Sequence, residues 1–289
     1  MSRALETVTS DDASDPPATP AGESEIGRGA QAAVYARADG RVVKRYFADV
    51  ARARIVWEFR NARLAYEHGV PTWRPDALSE DGRSIVGQRV TGETLSALAA
   101  RRPWRAIALM GELARIHAHI HRLPPPPGCR RWRRHVKPSI VDSLAPHLGP
   151  AAIERARDLL LASESGFCHG DLSPSNVLVD GGRLTVLDWG RSGVGPIAAD
   201  VGRAYAFILC AAPGGAPTPL PLRLAYRFRL AEAYLAAYLA ESGRMRAPIA
   251  AWAAVTLAAA ASDARRTAPS RALAQAALER VAAAFDRTA

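Results

Sequence analysis

Residues 168–190 constrain this chain more than any other stretch: Cys168-His169-Gly170-Asp171-Leu172-Ser173-Pro174-Ser175-Asn176, two short apolar runs, then Asp188-Trp189-Gly190. The runs, 177–179 and 184–187, flank Asp180-Gly181-Gly182 and predict a β-hairpin with a tight turn. A hairpin this short returns the chain to its starting level, so Asn176 and Asp188 lie at one end of a two-stranded ribbon. Asp171 sits just upstream of it. Two carboxylates and an amide oxygen brought together are the groups that metal-assisted phosphoryl transfer needs. One carboxylate orients a hydroxyl and accepts its proton, while an amide oxygen and the other carboxylate hold Mg²⁺. His-x-Asp or Asp-x-Gly alone occurs by chance in polar loops. The ordered series His169, Asp171, Asn176, hairpin, Asp188, Gly190 is far rarer.

The pattern His-Gly-Asp-x-x-x-x-Asn followed by Asp-Trp-x resembles the aminoglycoside phosphotransferase and choline kinase group of small-molecule kinases. That resemblance implies an α+β, two-lobed protein-kinase-like fold: a small antiparallel sheet with one main helix, and a larger, mainly helical lobe. It implies Asp171, Asn176 and Asp188 as the catalytic set, with Asn176 and Asp188 as metal ligands, and ATP and Mg²⁺ as cofactors. Protein kinases usually carry His-Arg-Asp and Asp-Phe-Gly, where this chain has Gly170 and Trp189, and no Ala-Pro-Glu follows Gly190. Further on, Gly195-Pro-Ile-Ala-Ala-Asp200 resembles the same family's segment after the metal carboxylate, which implies a bracing or capping role for Asp200.

Upstream, Gly27-Arg28-Gly29-Ala30-Gln31-Ala32-Ala33-Val34 fits a phosphate-covering loop of the form Gly-x-Gly-x-x-Ala-x-Val, although an ordinary hairpin has the same look. Gly27, Gly29, Ala32 and Val34 are the candidate contacts. Ten residues on, the strand-like run 41–46 contains Lys44, placed as the lysine that binds the α/β-phosphates. Of 38 basic residues only Lys44 and Lys137 are lysines, so Lys44 stands out as a compact point charge in an arginine-biased chain. Residues 55–66 approximate helical spacing, stopped by Gly69 and Pro71. The resemblance aligns Glu58 there with the glutamate that pairs with Lys44; Glu67, near the helix end, is the competitor. Residues 83–95 look like the last small-lobe strand entering the hinge, where backbone around Gln88, Arg89 and Val90 would read adenine.

These assignments divide the chain into a disordered tail (1–22), a nucleotide-binding small lobe (23–90) and a large lobe (91–289). The tail is poor in bulky apolar residues and lacks the apolar core of a signal peptide. The apolar stretch 247–261 is too short to span a bilayer and predicts a buried helix. Three cysteines without metal spacing favour free thiols and a reducing cytoplasm. Arginine bias and abundant alanine suggest a GC-rich bacterial source. Residues 104–121 predict an amphipathic helix carrying His117 and His121 at i, i+4. With no acidic or cysteine partner at metalloenzyme spacing, packing or hydrogen bonding is the preferred role over zinc.

A formal charge of +10 permits nucleic-acid binding, and residues 130–137 form a basic cluster with Trp132 interleaved. A solvated arginine-rich loop is the preferred reading of that cluster, ahead of an anionic-substrate contact or a nucleic-acid or membrane patch, and no nucleic-acid module appears, so nucleic acid is an unlikely partner. From Asp200 onward arginines outnumber carboxylates, a poor match to a polycation. The expected activity is therefore ATP- and Mg²⁺-dependent transfer of the γ-phosphoryl group to a hydroxyl of a small molecule that is not strongly polycationic. A small atypical protein Ser/Thr kinase is the alternative.

Overall fold

A computed structural model of the 289-residue chain describes residues 22–132, 141–210 and 219–286. The expected tail, up to residue 21, and residues 133–137 of the basic cluster lie outside the described residues.

The small lobe is a five-stranded antiparallel sheet in the order β1-β2-β3-β5-β4. Its strands are β1 (Glu23–Arg28), β2 (Ala32–Arg37), β3 (Arg41–Tyr46), β4 (Pro75–Leu78) and β5 (Ser84–Gln88). Helix α1 (Arg52–Glu67) covers it, and Ile55 packs with Val42, Tyr46, Trp73 and Ile85. The buried face of α1 is Ile55, Glu58, Asn61, Ala62 and Ala65, which differs from the apolar series expected from sequence, and Tyr66 is exposed. Two polar residues occupy that face, each tied to a partner across the molecule, Glu58 to Lys44 and Asn61 through Nδ2 to Ser192. The helix stops where expected, at a left-handed Gly69.

Between Gln88 and Glu93 the chain crosses to the large lobe, where β6 (Glu93–Thr94) pairs with β8 (Val177–Asp180), and β8 with β9 (Arg183–Val186). Gly181 and Gly182 both take positive φ, the conformation a two-residue hairpin turn demands. A second ribbon joins β7 (Ser165–Cys168) to β10 (Gly193–Pro196). Helices α2 (Leu95–Arg101), α3 (Pro103–Arg122), α4 (Pro150–Leu161), α5 (Ile197–Cys210), α6 (Leu220–Ser242), α7 (Arg246–Ser262) and α8 (Ala268–Asp286) complete the lobe. Apolar α5 lies at its centre, against α6, α7 and α8. The alanine-rich stretch forms α7 and is buried at Ile249, Ala253 and Leu257. Among the described residues no helix is long and apolar enough to cross a membrane.

Candidate active site

The loop after β7 hangs from one buried carboxylate. Asp200, in the first turn of α5, accepts the backbone N–H of His169 at Oδ2 (2.7 Å) and that of Gly170 at Oδ1 (2.9 Å). The Nε2 atoms of His117 and His121 on α3 approach the same Oδ2 at 3.0 and 3.3 Å. An ionised carboxylate only accepts, so both imidazoles donate through Nε2–H. Their Nδ1 atoms then accept the hydroxyls of Tyr234 (2.6 Å) and Tyr238 (2.7 Å) on α6. Burial drives the His121 pKa down to about 4, which keeps that ring neutral. Burial also acts to raise the Asp200 carboxyl, but the two histidines beside it outweigh this and hold it well below the carboxylate range. The histidine pair therefore does meet an acidic partner, brought in from α5. Each of the converging atoms is occupied by a hydrogen bond, the role expected of His117, and Asp200 braces the loop as its resemblance implied.

His169 links the loop to the turn at Asp188. Its Nδ1 accepts the N–H of Asp171 (3.2 Å) and its Nε2 donates to the carbonyl of Leu187 (3.1 Å). Burial lowers its pKa to about 4, consistent with that single neutral tautomer. Asn176 donates from Nδ2 to the Asp171 carbonyl (2.9 Å), which leaves Oδ1 as its remaining acceptor. Leu187 N–H donates to the Asn176 carbonyl (2.8 Å), so the hairpin brings its two ends together as its length predicted. Asp188 follows with φ 61°, the one non-glycine residue of positive φ among the described residues. Such a conformation costs about 1–3 kcal/mol and persists only where the surroundings fix it.

The charges of this site oppose one another. Burial pushes the Asp171 carboxyl up to about 6, while the Arg191 guanidinium, with Nε 3.7 Å from Oδ2, pulls it back. Lys44, 3.4 Å from Asp188 Oδ1, lowers the Asp188 carboxyl against the opposing effect of burial. Lys44 also donates to Glu58 Oε1 at 2.5 Å. Burial alone would lower the ammonium, but the carboxylates of Asp188 and Glu58 raise it well above its ordinary value. Of the two glutamates weighed from sequence, Glu58 reaches Lys44, and Glu67 pairs with Arg63 on the surface (2.8 Å).

One turn along α1, Asn61 Nδ2 donates to Ser192 Oγ (2.7 Å), and Ser192 donates in turn to the Trp189 carbonyl. Trp189 is fully buried, and its Nε1 donates to Thr72 Oγ1 (2.9 Å), which donates to the Val186 carbonyl (2.6 Å). Helix α1 and the Asp188 turn thus form one hydrogen-bonded unit. Nothing local marked the Asn61–Ser192 contact or the tyrosine partners in the sequence. Arg191 was adjacent to the motif, and its contact with Asp171 became visible in the structure.

The β1–β2 turn is closed by Gly29 N–H to the Ala32 carbonyl (2.9 Å). A Cβ at Gly27 would meet nothing within 4 Å, and one at Gly29 nothing closer than 3.9 Å. The fold itself does not demand glycine there, whereas a phosphate lying over the loop would. The Ala32 side chain is turned into the small-lobe core, so only its backbone could serve a nucleotide. Val34, Val90 and Leu187 pack on the edge of that core, and Gln88 is exposed at the end of β5. Asn176 Oδ1 and the Asp188 carboxylate are hard oxygen donors, the type Mg²⁺ takes.

Residues 23–252 match the family described as phosphotransferase enzymes. A stretch of 166 residues is 32% identical to an aminoglycoside 3'-phosphotransferase of Streptomyces fradiae, covering 48% of this chain and 59% of that relative's length. An amicoumacin kinase solved with AMP-PNP and Ca²⁺ is 14% identical with a TM-score of 0.58, over 93% of this chain and 89% of its own. A choline/ethanolamine kinase family protein from Mesorhizobium loti is 16% identical with a TM-score of 0.58, over 96% of this chain and 94% of its own. Both share the two-lobed kinase-like fold.

Proposed function

The chain belongs to the phosphotransferase enzyme family, and from that premise we propose that it moves the γ-phosphoryl group of ATP, with Mg²⁺, to a hydroxyl of a small molecule. The observation that supports this reading is the linked set of contacts among Lys44, Glu58, Asp171, Asn176 and Asp188, which come from three separate segments: Lys44 pairs with Glu58 and Asp188, and Asn176 is tied to the Asp171 backbone. Lys44, aimed by Glu58, would bind the α/β-phosphates, with the glycine turn closing over them. Asn176 and Asp188 would hold Mg²⁺, which supplies neutralisation of the phosphate charge. Asp171 orients the acceptor hydroxyl and takes its proton, and its raised pKa brings it nearer to a working base. The transition state of such transfers is loose, so positioning and charge carry most of the acceleration.

Two features support a small acceptor. Only residues 189–196 separate Asp188 from α5, and half of them form β10, so the segment that follows the corresponding aspartate in protein kinases is short here. The described carboxylates after Asp200 are also engaged: Glu232 with Arg246 (2.8 Å) and Tyr205 (2.7 Å), Asp263 with Arg265 (2.9 Å), Glu241 with Arg122, and Glu279 with Gln275 (2.9 Å). A polycation would have to break such pairs, which favours a neutral or anionic acceptor. The relative from Streptomyces fradiae makes aminoglycosides the comparison to include.

The test is ADP release from ATP and Mg²⁺ over aminoglycosides, other antibiotics, amino alcohols, sugars and nucleosides, with Asp171→Asn as blank. Acceptor-dependent release that disappears in Asp171→Asn and Asp188→Ala supports the reading. Undiminished release in Asp171→Asn refutes the role of that carboxylate.

A further inference from the structure

The basic run 130–137 has one feature that neither charge nor nucleotide chemistry explains, the indole at its centre. Residues 130–132 join the open edge of β10: Trp132 N–H donates to the Val194 carbonyl and Val194 N–H to the Arg130 carbonyl, each at 2.8 Å. The indole then lies in a slot walled by glycine. A Cβ at Gly195 would come within 2.1 Å of the ring, one at Gly193 within 3.0 Å of Nε1, and one at Gly170 within 2.8 Å of Cζ2. Gly170 immediately precedes Asp171 and has φ 82°, a conformation that glycine adopts freely. Across the slot, Trp132 Nε1 donates to the carbonyl of Arg191 (3.2 Å). The side chain of that same Arg191 reaches Asp171.

We infer that Trp132 is a positioning residue, a wedge that fixes the spacing between Asp171 and Arg191 by touching Gly170 on one side and holding the Arg191 carbonyl on the other. Resting on the assignment of Asp171 as the base, it predicts a defect in turnover and not in nucleotide binding. Its reach is short and specific. The described hydrogen bonds of the wedge run to Val194 and to the Arg191 carbonyl, while Lys44 and the hairpin are held by other partners. The slot also explains why the position before the base is glycine in this chain, since any side chain there would collide with the ring and with the Arg191 carbonyl, 2.5 Å from a Cβ.

The experiment compares Trp132→Phe, which keeps a ring in the slot but removes the donor, with Gly195→Ala, which crowds the ring from the opposite wall. Trp104→Phe, at an exposed tryptophan, is the control. Two readouts are taken: amide hydrogen exchange across 168–176 and 187–194, which needs no acceptor, and kcat and KM for ATP with the acceptor found in the panel above. The expected result is at least tenfold faster exchange confined to those two segments in both slot variants. A tenfold or greater fall in kcat should accompany it, with KM for ATP within twofold of the parent and the urea midpoint of Trp132→Phe unchanged. Exchange and kcat like the parent's in Trp132→Phe overturn the inference, as does a kcat loss matched by general loss of protection. If no acceptor supports turnover, the proposed activity fails, yet the exchange result still decides whether Trp132 holds the loop and the Arg191 turn together.

Discussion

Replacing Asp200 by asparagine removes one charge and no volume, and it should be among the most destabilising isosteric changes in this chain. Four donors converge on the native carboxylate: Gly170 N–H at Oδ1, and His169 N–H, His117 Nε2 and His121 Nε2 at Oδ2. An amide offers one acceptor oxygen and an NH₂ group. Its least costly orientation keeps oxygen toward the three donors and turns NH₂ toward Gly170, so a buried N–H loses its acceptor at about 1.5–3 kcal/mol. The three retained bonds lose their charge assistance, roughly half their strength, adding about 0.5–1 kcal/mol each. The sum is about 4 kcal/mol, in the range of other broken buried charge networks. With a urea dependence of about 3 kcal/mol per molar, the midpoint should fall by more than about 1 M. Amide exchange should place the first loss of protection at His169 and Gly170. A midpoint lowered by less than about 0.3 M, with those amides protected as before, would refute the claim that this carboxylate carries the loop.

The other predictions concern titration and the buried pair. With the Asp171 carboxyl pushed up to about 6, the proposed base is ionised above that pH, so kcat should fall as pH drops through 6; a pH–rate profile flat down to pH 5 contradicts this. His121 and His169 are held neutral to about 4 in the fold, whereas unfolded histidine takes its proton near 6.5. Their stabilisation is complete above about 6.5 and declines as pH falls toward 4, by about 1.4 kcal/mol per pH unit for each ring, measurable as urea midpoints between pH 7 and 5. Glu58→Gln leaves partly buried Lys44 with Asp188 as its remaining described carboxylate, so it should cost about 1–3 kcal/mol of stability and raise KM for ATP, read by urea titration and steady-state kinetics.

The parts of this molecule legible in advance are those whose chemistry sits in consecutive residues. The hairpin was readable because Asp180-Gly181-Gly182 specifies a turn and the flanking runs specify strands, and together they set Asn176 beside Leu187. Helix α1 was readable as a helix, but its buried face was not, because Glu58 and Asn61 are buried only through Lys44 and Ser192, distant in the chain. The histidine pair shows the same limit. Spacing put His117 and His121 on one face of α3, yet what they serve depends on Asp200 and two tyrosines about 80 to 120 residues away. Trp132 was visible only as an aromatic among arginines. Its meaning lies in Gly170, Gly193 and Gly195, three glycines whose missing side chains leave no mark in a sequence beyond their absence.

Trp189 has a consequence for the number of shapes this site can adopt. In protein kinases the aromatic residue after the metal-binding aspartate switches between packed and displaced positions, and that exchange separates active from inactive forms. Here the larger indole is fully buried, stacked 6.2 Å from Phe167 and tethered by Nε1 to Thr72. Withdrawing about 200 Å² of aromatic surface costs roughly 5 kcal/mol, and the lost tether about 1 more. A displaced conformer would then make up on the order of one molecule in ten thousand. Inhibitors that work by capturing a displaced aromatic would forfeit that factor in affinity, so compounds that compete for the cleft as it stands are the better starting point against this chain.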